Sequence, residues 1–522
     1  MKTLRSTPPC APATFFLLIL LTCSAFLSSA CAEGLKLGSL FTDHMVLQRE
    51  QPVPVWGTSM SGAQITVEFA QQKQSTTADA NGQWMVKLDP MPASLDGREL
   101  VVSAGAENLK INLSDVVVGD VWLGSGQSNM HFTMKRVYKA DQEIAAAKHP
   151  AIRFFYVNPQ FARASKTSVE GEWKAVSPET ASECSAVAYY FARDLQQKLG
   201  VPIGLLLSSV GGTRIETWMQ PKTLSDLGLA GQLVDKWKDV SAEEFRQLDE
   251  DYRAYQNQLY RVHPDLVRTA KSQGLPIPPA PTRPAMRPHD CPGALHHGMI
   301  APLQPFALRG TLWYQGETNV GAPAAYEKLL PALIADWRKV WGQEMPFLIV
   351  QLAPHESAAP AFREAQYRIW QKTPKTALVV TTDVGDAKDI HPTRKQPVGE
   401  RLALAARALS YGEQIEYSGP VFKSMSVNGS NAVISFTHLG EGLMAKGDTL
   451  KGFVVAGRDG KFFPAKAGIE GSTVVVSSDQ VATPAVVHYG NAKVPDVNLY
   501  NRNGMPAVPF RSDAPQRREG LD

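Results

Sequence analysis

The chain has 522 residues, of which 44% are hydrophobic and 20% charged, and its formal net charge is +3. This length exceeds what one hydrophobic core usually serves, so we expect two to four domains. The small net charge argues against a nucleic-acid-binding protein and against a basic surface for acidic membranes.

Residues 1–32 predict an export signal. Two basic residues precede the apolar run 15–21, and Ala30-Cys31-Ala32 has the small residues of a cleavage site. The apolar run is shorter than the ~20 residues that a membrane-spanning helix needs. We therefore expect an exported protein, periplasmic or secreted, with no membrane span. The alternative is a lipoprotein cut before Cys31. It ranks second, because Ser28 stands where lipoprotein signals usually carry leucine.

Two cysteines, Cys184 and Cys291, lie beyond the predicted signal. An oxidising compartment would permit a disulfide between them, but the sequence leaves their pairing open, and two buried free thiols are the preferred interpretation. No Cys-x-x-Cys or His-rich spacing indicates a structural zinc site, so we expect no metal.

Residues 33–118 predict a small N-terminal β-sandwich. Short segments with alternating apolar and polar residues are separated by Gly, Pro, Asp and Asn turns, and they lie at 53–56, 64–69, 83–88 and 100–103.

Residues 119–412 predict an α/β domain, because strands alternate with helices. The predicted strands are 121–123, 152–157, 203–207, 310–314, 347–352 and 377–382. The predicted helices between or after them are 187–199, 326–341 and 398–409. This alternation indicates a parallel sheet with helices on both faces, and functional sites in such sheets form at the carboxyl ends of the strands.

Two further segments complete the predicted domain organisation. Residues from about 222 to 290 contain a charged helical stretch and a proline-rich run, which predict an insertion packed over one face of the α/β domain. The alternating pattern returns in residues 413–522, which predict a C-terminal β module.

Ser128 is the candidate nucleophile. It lies in the turn Gly126-Gln-Ser-Asn129, directly after the predicted strand 121–123. A serine hydroxyl is a weak nucleophile at neutral pH, so it needs exposure at a strand end, a neighbouring base and backbone N–H donors for the developing charge. The alternative is that Ser128 or Asn129 only caps a helix.

His391 is the best placed base among the eleven histidines of the chain. It follows the predicted strand 377–382 through a loop and precedes a helix, so it is expected at the same edge of the sheet as Ser128. A solvated loop histidine is the alternative. The competing histidines are His131, His296, His297 and His355.

Two more turns follow strands of the same predicted sheet. Gly211 and Gly212 could point backbone N–H groups into the cleft, and Gln315 could offer a side-chain amide N–H. Together with the N–H of Ser128, these donors would form an oxyanion hole. The alternatives are structural roles. The glycines would allow a close contact between a helix and a strand, and Gln315 and Glu317 would be polar loop residues whose hydrogen bonds are made within the protein.

Seven sequence motifs, taken together, can be compared with those of known protein families. They are Val46-Leu-Gln-Arg49, Gly119-Asp-Val-Trp122, Gly126-Gln-Ser-Asn-Met130, Gly211-Gly-Thr213 with Ile215 and Trp218, Gly298-Met-Ile-Ala-Pro-Leu303, Trp313-Tyr-Gln-Gly-Glu-Thr-Asn319, and Ile390-His-Pro392 with Lys395 and Arg401-Leu402. Together they resemble the sialate O-acetylesterase family, which belongs to the SGNH hydrolases. The resemblance runs from about residue 40 to about residue 409.

The resemblance implies a flavodoxin-like three-layer α/β/α catalytic domain flanked by β modules, and removal of acetyl groups from carbohydrate hydroxyls. It assigns the nucleophile to Ser128 and the base to His391. It assigns the oxyanion donors to the N–H of Ser128, one of the paired glycines, with Gly211 preferred over Gly212, and Gln315. Acyl transfer by these groups requires no metal and no cofactor.

The chain departs from the wider SGNH pattern before His391. An aspartate usually stands three residues before the histidine, but this chain has Lys388 there. Asp389 orients the imidazole, or Asp386 does so from the loop, or a backbone carbonyl holds the ring and leaves a Ser–His dyad. Asp389 is placed first among these alternatives.

The expected partner is an O-acetylated sugar, most directly a sialic acid, with acetylated xylan or another plant polysaccharide as the alternative. The candidates for substrate contact are Arg214, Trp218, Glu317 and Asn319. An arginine suits a sialic acid carboxylate, although Arg214 could equally belong to a surface ion pair. A non-catalytic glycan-binding protein and a serine peptidase are the alternatives of other kinds, and the oligomeric state stays open.

Overall fold

The computed structural model describes residues 34–105, 109–229 and 231–514. The predicted export signal, residues 1–32, lies outside these ranges. The first strands are β1 (Lys36–Leu37), β2 (Val46–Gln48), β3 (Val53–Thr58), β4 (Gln64–Phe69), β5 (Gln72–Thr77), β6 (Gln83–Leu88), β7 (Ser94–Ala104) and β8 (Leu109–Gly126). In β3, β4 and β6 alternate side chains are buried, which matches the alternation in their sequences.

The central sheet of this mixed α/β protein is built on β8. It adds the strands β9 (His149–Tyr156), β10 (Trp173–Val176), β11 (Ile203–Ser209), β12 (Gly310–Tyr314), β13 (Phe347–Val350) and β14 (Thr376–Val379). The strand order is β10-β9-β11-β8-β12-β13-β14, and all neighbours are parallel except β10 and β9. Each of the six strands predicted between residues 121 and 382 is therefore present. The strand 310–314 has the predicted ends, and the other five begin or end at residues other than those predicted.

The strand β8 also joins the central sheet to the N-terminal strands. Its first part pairs antiparallel with β7, and its second part pairs parallel with β11 and β12. One apolar cluster contains Leu40 and Val55 of the N-terminal part together with Trp313 and Ile349 of the central sheet. The expected division at residues 118 and 119 thus falls inside a continuous strand.

Helices cover both faces of the central sheet. They are α1 (Ser128–His131), α2 (Ala140–Ala145), α3 (Ala186–Leu199), α4 (Pro221–Leu227), α5 (Gly231–Lys238), α6 (Ala242–Asn257), α7 (His263–Gln273), α8 (Pro323–Trp341), α9 (Pro360–Lys372) and α10 (Gln396–Tyr411). Apolar residues of α3 and α10 pack on one face, and those of α8 and α9 pack on the other. The helices α4 to α7 occupy the segment predicted as an insertion.

The topology determines where a cleft can form. From β8 the chain passes to β9 and β11 on one side of the sheet, and it then crosses to β12 on the other side. Ligands of open α/β sheets bind outside the carboxyl ends of the strands at such a reversal of strand order. The end of β8 at Gly126 therefore lies at the expected position of a site.

The C-terminal part is formed by antiparallel strands around a separate apolar cluster. They are β15 (Val421–Asn428), β16 (Asn431–Thr437), β17 (Leu443–Ala445), β18 (Phe453–Ala456), β19 (Phe462–Pro464), β20 (Lys466–Glu470), β21 (Thr473–Ser477), β22 (Val486–Tyr489), β23 (Leu499–Asn501) and β24 (Phe510–Arg511). Two four-stranded sheets have the orders β15-β16-β21-β20 and β19-β18-β22-β24.

Two expectations about the whole chain can be compared with the described residues. Cys184 and Cys291 are both buried free thiols, and they belong to different apolar clusters. Within the three described ranges, no helix combines the length and the apolar character that crossing a bilayer requires.

Candidate active site

Ser128 lies where the central strand β8 turns into the short helix α1. Gly126 has φ +131°, and a Cβ atom there would lie 2.2 Å from the carbonyl oxygen of Tyr314. Only glycine therefore fits at the sharp end of this strand. The turn leaves Ser128 partly exposed, whereas Gln127 and Asn129 on either side of it are buried.

Gly211 lies directly against Ser128. A Cβ atom built on Gly211 would be 3.4 Å from the Cβ of Ser128. Gly212 has φ +71°, a conformation that favours glycine, and a Cβ atom on it would meet no neighbour within 4 Å. Among the described residues, neither the N–H of Ser128 nor that of Gly211 donates to an acceptor. These two groups are thus available for an oxyanion.

His391 lies in the loop between β14 and α10, at the same edge of the sheet. The side-chain amide of Asn129, the residue after Ser128, donates to the carbonyl oxygen of Ile390, the residue before His391, at 3.0 Å. The ring of His391 stacks on that of Phe132, with centroids 6.5 Å apart. The segments of the candidate nucleophile and base are therefore in contact.

Asp389 is the carboxylate beside His391. Its Oδ1 lies 3.9 Å from Nδ1 of His391 and accepts a hydrogen bond from the backbone N–H of His391 at 2.8 Å. The carboxylate of Asp386 instead accepts the backbone N–H groups of Lys388 and Asp389, at 2.8 and 3.0 Å. Of the two aspartates, the geometry favours Asp389 as the electrostatic partner of the imidazole, at a distance too long for a hydrogen bond.

The described residues give the Ser128 hydroxyl no hydrogen-bond partner, so it is not bonded to His391. In ligand-free enzymes, bonds between a nucleophile and its base are often long and tighten when substrate binds. Three of the competing histidines have other partners: His131 contacts Ser209 and Tyr156, while His297 and His355 contact neighbouring serines, Ser165 and Ser357. His296 is buried, with neither ring nitrogen bonded.

Burial lowers the pKa of His391 below its ordinary value, and the charges of Arg136 and Lys395 lower it further, partly offset by Asp389. An imidazole must be neutral to accept a proton, so a lowered pKa keeps His391 competent as a base at more acidic pH. We expect kcat/KM for p-nitrophenyl acetate to rise with pH through an apparent pKa below about 6.5 and then to stay level at neutral pH. A pH–rate profile measures this, and a rise centred above that value would contradict it.

Gln315 follows β12 as the sequence predicted, but its side chain does not have the predicted role. It is fully buried, and its amide nitrogen donates to the carbonyl oxygen of Thr213 at 3.2 Å and to Oδ1 of Asn319 at 2.8 Å. Both amide N–H groups are thus used inside the protein, which contradicts Gln315 as an oxyanion donor. The structure agrees with the structural alternative, in which the hydrogen bonds of Gln315 are made within the protein. They join the turn after β12 to the turn after β11.

Two residues expected to contact substrate are core residues, so these expectations are wrong. Trp218 is fully buried, and its indole N–H donates to Oγ1 of Thr213 at 3.1 Å. Asn319 is 2% exposed; its Oδ1 accepts the backbone N–H of Ile215, and its Nδ2 donates to Glu216. Both side chains are therefore buried and hydrogen-bonded inside the protein.

The two charged candidates also face other groups. The Glu317 carboxylate is turned inward, where Oε1 accepts from Nδ2 of Asn129 at 2.5 Å and Oε2 is buried. Arg214 is partly exposed and pairs with Asp290 at 3.6 Å, which agrees with the ion-pair alternative.

Lys395 was noted only as part of a motif, yet it lies beneath the site. It is 1% exposed, and its Nζ donates to Oδ1 of Asn129 at 2.5 Å. Lysines are almost never fully buried, so neither composition nor spacing predicts this position. In the part of the chain that the structure describes, no cluster of three or more His, Cys, Asp or Glu side chains could hold a metal ion.

Comparison with known proteins identifies the family of this chain. The family described as carbohydrate esterase, sialic acid-specific acetylesterase matches residues 118–276 and 294–408. Sialate O-acetylesterase of Mus musculus is 31% identical over 472 residues, covering 80% of this chain and 82% of that protein. The protein of the same name from Homo sapiens is 30% identical over 450 residues, covering 78% and 77% of the two chains.

A solved structure supports the same relationship. The crystal structure of a carbohydrate acetylesterase from Xanthomonas citri superposes with a TM-score of 0.77 at 36% identity, covering 92% of this chain and 100% of that one. The resemblance inferred from the motifs is confirmed. This chain belongs to the sialic acid-specific acetylesterase family of carbohydrate esterases.

Proposed function

We propose that this protein is a serine esterase that removes O-acetyl groups from carbohydrates, with an O-acetylated sialic acid as its substrate. The observation that carries the reaction type is the placement of Ser128 against Gly211, whose N–H has no acceptor among the described residues, at the same sheet edge as His391. The named relatives are sialate O-acetylesterases and a carbohydrate acetylesterase, which supports the substrate class.

The reaction proceeds in two acyl-transfer steps. His391 takes the proton of the Ser128 hydroxyl as Oγ attacks the acetyl carbonyl, and the backbone N–H groups of Ser128 and Gly211 bind the oxyanion. The sugar oxygen leaves with the proton from His391. Water, deprotonated by His391, then attacks the acetyl-serine; the bond to Oγ of Ser128 breaks as His391 returns the proton to Oγ, and acetic acid is released and ionises to acetate. Asp389 stabilises the imidazolium across 3.9 Å.

The proposal includes an SGNH assignment for the fold. Residues 119–412 form its α/β/α catalytic domain, with β-sandwich modules at 33–118 and 413–522. The parallel sheet with helices on both faces supports the catalytic domain, and the strands before and after it support the modules.

An acidic sugar is supported by Arg136. Its guanidinium lies over the ring of Phe132, 4.5 Å from the centroid, and Phe132 in turn stacks on His391. The side chain is exposed, and it forms no ion pair with any described carboxylate. An unpaired cation beside the base suits the carboxylate of a sialic acid, a charge that neutral xylan units lack.

The experiment that tests the substrate compares acetate release from O-acetylated sialic acid with release from acetylated xylo-oligosaccharides. We expect the higher kcat/KM for sialic acid. Hydrolysis of the xylo-oligosaccharides alone would contradict the proposed substrate while leaving the esterase chemistry intact.

The variant Arg136→Gln tests whether Arg136 binds the carboxylate of the sialic acid. It should lower kcat/KM for O-acetylated sialic acid about 10- to 100-fold, because a charge-assisted hydrogen bond is lost, and it should leave the methyl ester of that substrate nearly unaffected. The assays are run at mildly alkaline pH, where His391 is neutral with or without the charge of Arg136. Arg214→Gln is the matched control, since Arg214 is paired with Asp290. Equal losses with both substrates, or a selective loss in the control, would contradict the role of Arg136.

A further inference from the structure

Three polar side chains form a group beneath Ser128 and His391: Asn129 and Lys395 are buried, and Glu317 is partly buried. Asn129 is at its centre: its Oδ1 accepts from Nζ of Lys395 at 2.5 Å, and its Nδ2 donates to Oε1 of Glu317 at 2.5 Å. Asn129 and Lys395 are each 1% exposed. Because the ammonium form of Lys395 can only donate and a carboxylate accepts, these two partners determine the orientation of the Asn129 amide.

The central amide also joins the two halves of the site. Nδ2 of Asn129 donates to the carbonyl oxygen of Ile390 at 3.0 Å, in addition to Glu317. Asn129 directly follows Ser128, and Ile390 directly precedes His391. All hydrogen-bonding groups of this amide are therefore used to connect the nucleophile turn to the loop of the base.

The partners of Asn129 come from two other elements. Glu317 belongs to the turn after β12, and Lys395 is the residue that precedes α10. Nζ of Lys395 lies against the rings of Phe132 and Tyr314, at 4.9 and 5.3 Å from their centroids. The group thus holds together the ends of β8 and β12 and the start of α10.

This arrangement is costly for a protein core. Burial lowers the pKa of Lys395 to about 7 and raises that of Glu317, and Oε2 of Glu317 is buried with no described partner. Apolar side chains of similar volume are often as stable as a buried ion pair, or more so. A local departure from good core packing is expected at a functional site.

We propose that Asn129, Lys395 and Glu317 form a positioning clamp that sets the separation and orientation of Ser128 and His391. The inference rests on the proposed esterase function. None of the three side chains is assigned a contact with the acetyl group; they act through the two residues of the chemical step. A displacement of about 1 Å between such groups can cost about 100-fold in rate.

The clamp is tested with two variants that break it in different ways. Asn129→Ala removes the central amide. Lys395→Met combined with Glu317→Gln removes both charges together, so no buried charge is left unpaired. Tyr411→Phe is the matched control, because it removes a partly buried hydrogen bond of 2.9 Å to Asp120, which lies six residues before the end of β8.

The readouts are kcat and KM for p-nitrophenyl acetate and the rate at which a fluorophosphonate labels Ser128, with near-UV circular dichroism to verify folding. We expect Asn129→Ala and the charge-neutral double variant each to lower kcat about 10- to 100-fold with little change in KM. Combining them should add little, since both break one link. Tyr411→Phe should keep kcat close to that of the unmodified protein.

Either of two results would overturn the clamp. One is a folded Asn129→Ala or charge-neutral variant that retains kcat and labelling rate; the other is losses that multiply when the variants are combined. Labelling separates this failure from failure of the proposed function. If the unmodified protein is not labelled at Ser128, the esterase assignment fails; if it is labelled and the clamp variants react equally fast, only the clamp fails.

Discussion

Ser128→Ala should lower kcat for acetyl esters by about 10⁴- to 10⁶-fold while the protein stays folded. The hydroxyl is the atom that forms the acetyl-enzyme, and neither water nor a neighbouring side chain can replace it in the first step. The side chain is partly exposed and makes no hydrogen bond with the described residues, so its loss leaves no buried partner unsatisfied. Free energy of unfolding should therefore change by less than about 0.5 kcal/mol.

Turnover of p-nitrophenyl acetate and of O-acetylated sialic acid, together with thermal unfolding, measures both effects. Ser125→Ala is the matched control: Ser125 lies near the end of β8, three residues before Ser128, and its buried hydroxyl has no hydrogen-bond partner in the described structure. We expect this control to keep its activity. If Ser128→Ala retained activity, or if the control lost as much, Ser128 would not be the nucleophile.

His391→Ala should lower kcat by about 10²- to 10⁴-fold, since proton transfer from Ser128 and to the leaving sugar oxygen would both lose their catalyst. Adding this change to Ser128→Ala should have little further effect, because nucleophile and base act as one unit. Residual activity would come from binding and from the oxyanion donors.

His355→Ala is the control for the base, since His355 lies in the loop after β13 and bonds to Ser357. The assay is kcat at neutral pH for each single variant and for the double variant with Ser128→Ala. We expect near-normal activity for the control. A large loss in His355→Ala with an active His391→Ala would transfer the role of base to His355.

The sequence predicted the parallel sheet because alternation of strands and helices is a property of long segments. It also placed Ser128 and His391 at one sheet edge, since both follow strands of that sheet. Gly211 was preferred over Gly212 from the resemblance, and its contact with Ser128 agrees with that preference. These inferences needed only the chain direction and the positions of turns.

The sequence did not reveal which polar side chains face the cleft. Gln315, Trp218 and Asn319 follow strands as expected, but they are buried and bonded to neighbouring turns. A side chain's direction depends on the conformation of its turn, which residue type alone does not determine. Lys395 was overlooked for a related reason, because nothing in the local sequence distinguishes a buried lysine from a solvated one.

The most direct test of the esterase mechanism is peptide mass spectrometry of enzyme quenched with acid during turnover of p-nitrophenyl acetate. His391 should be needed for rapid formation and for hydrolysis of the covalent intermediate. The proposed mechanism predicts an acetyl group on the peptide that contains Ser128, at the serine itself, and none in Ser128→Ala. An acetyl group on another residue, or turnover of the unmodified enzyme with no acetylated peptide at any quench time, would contradict it.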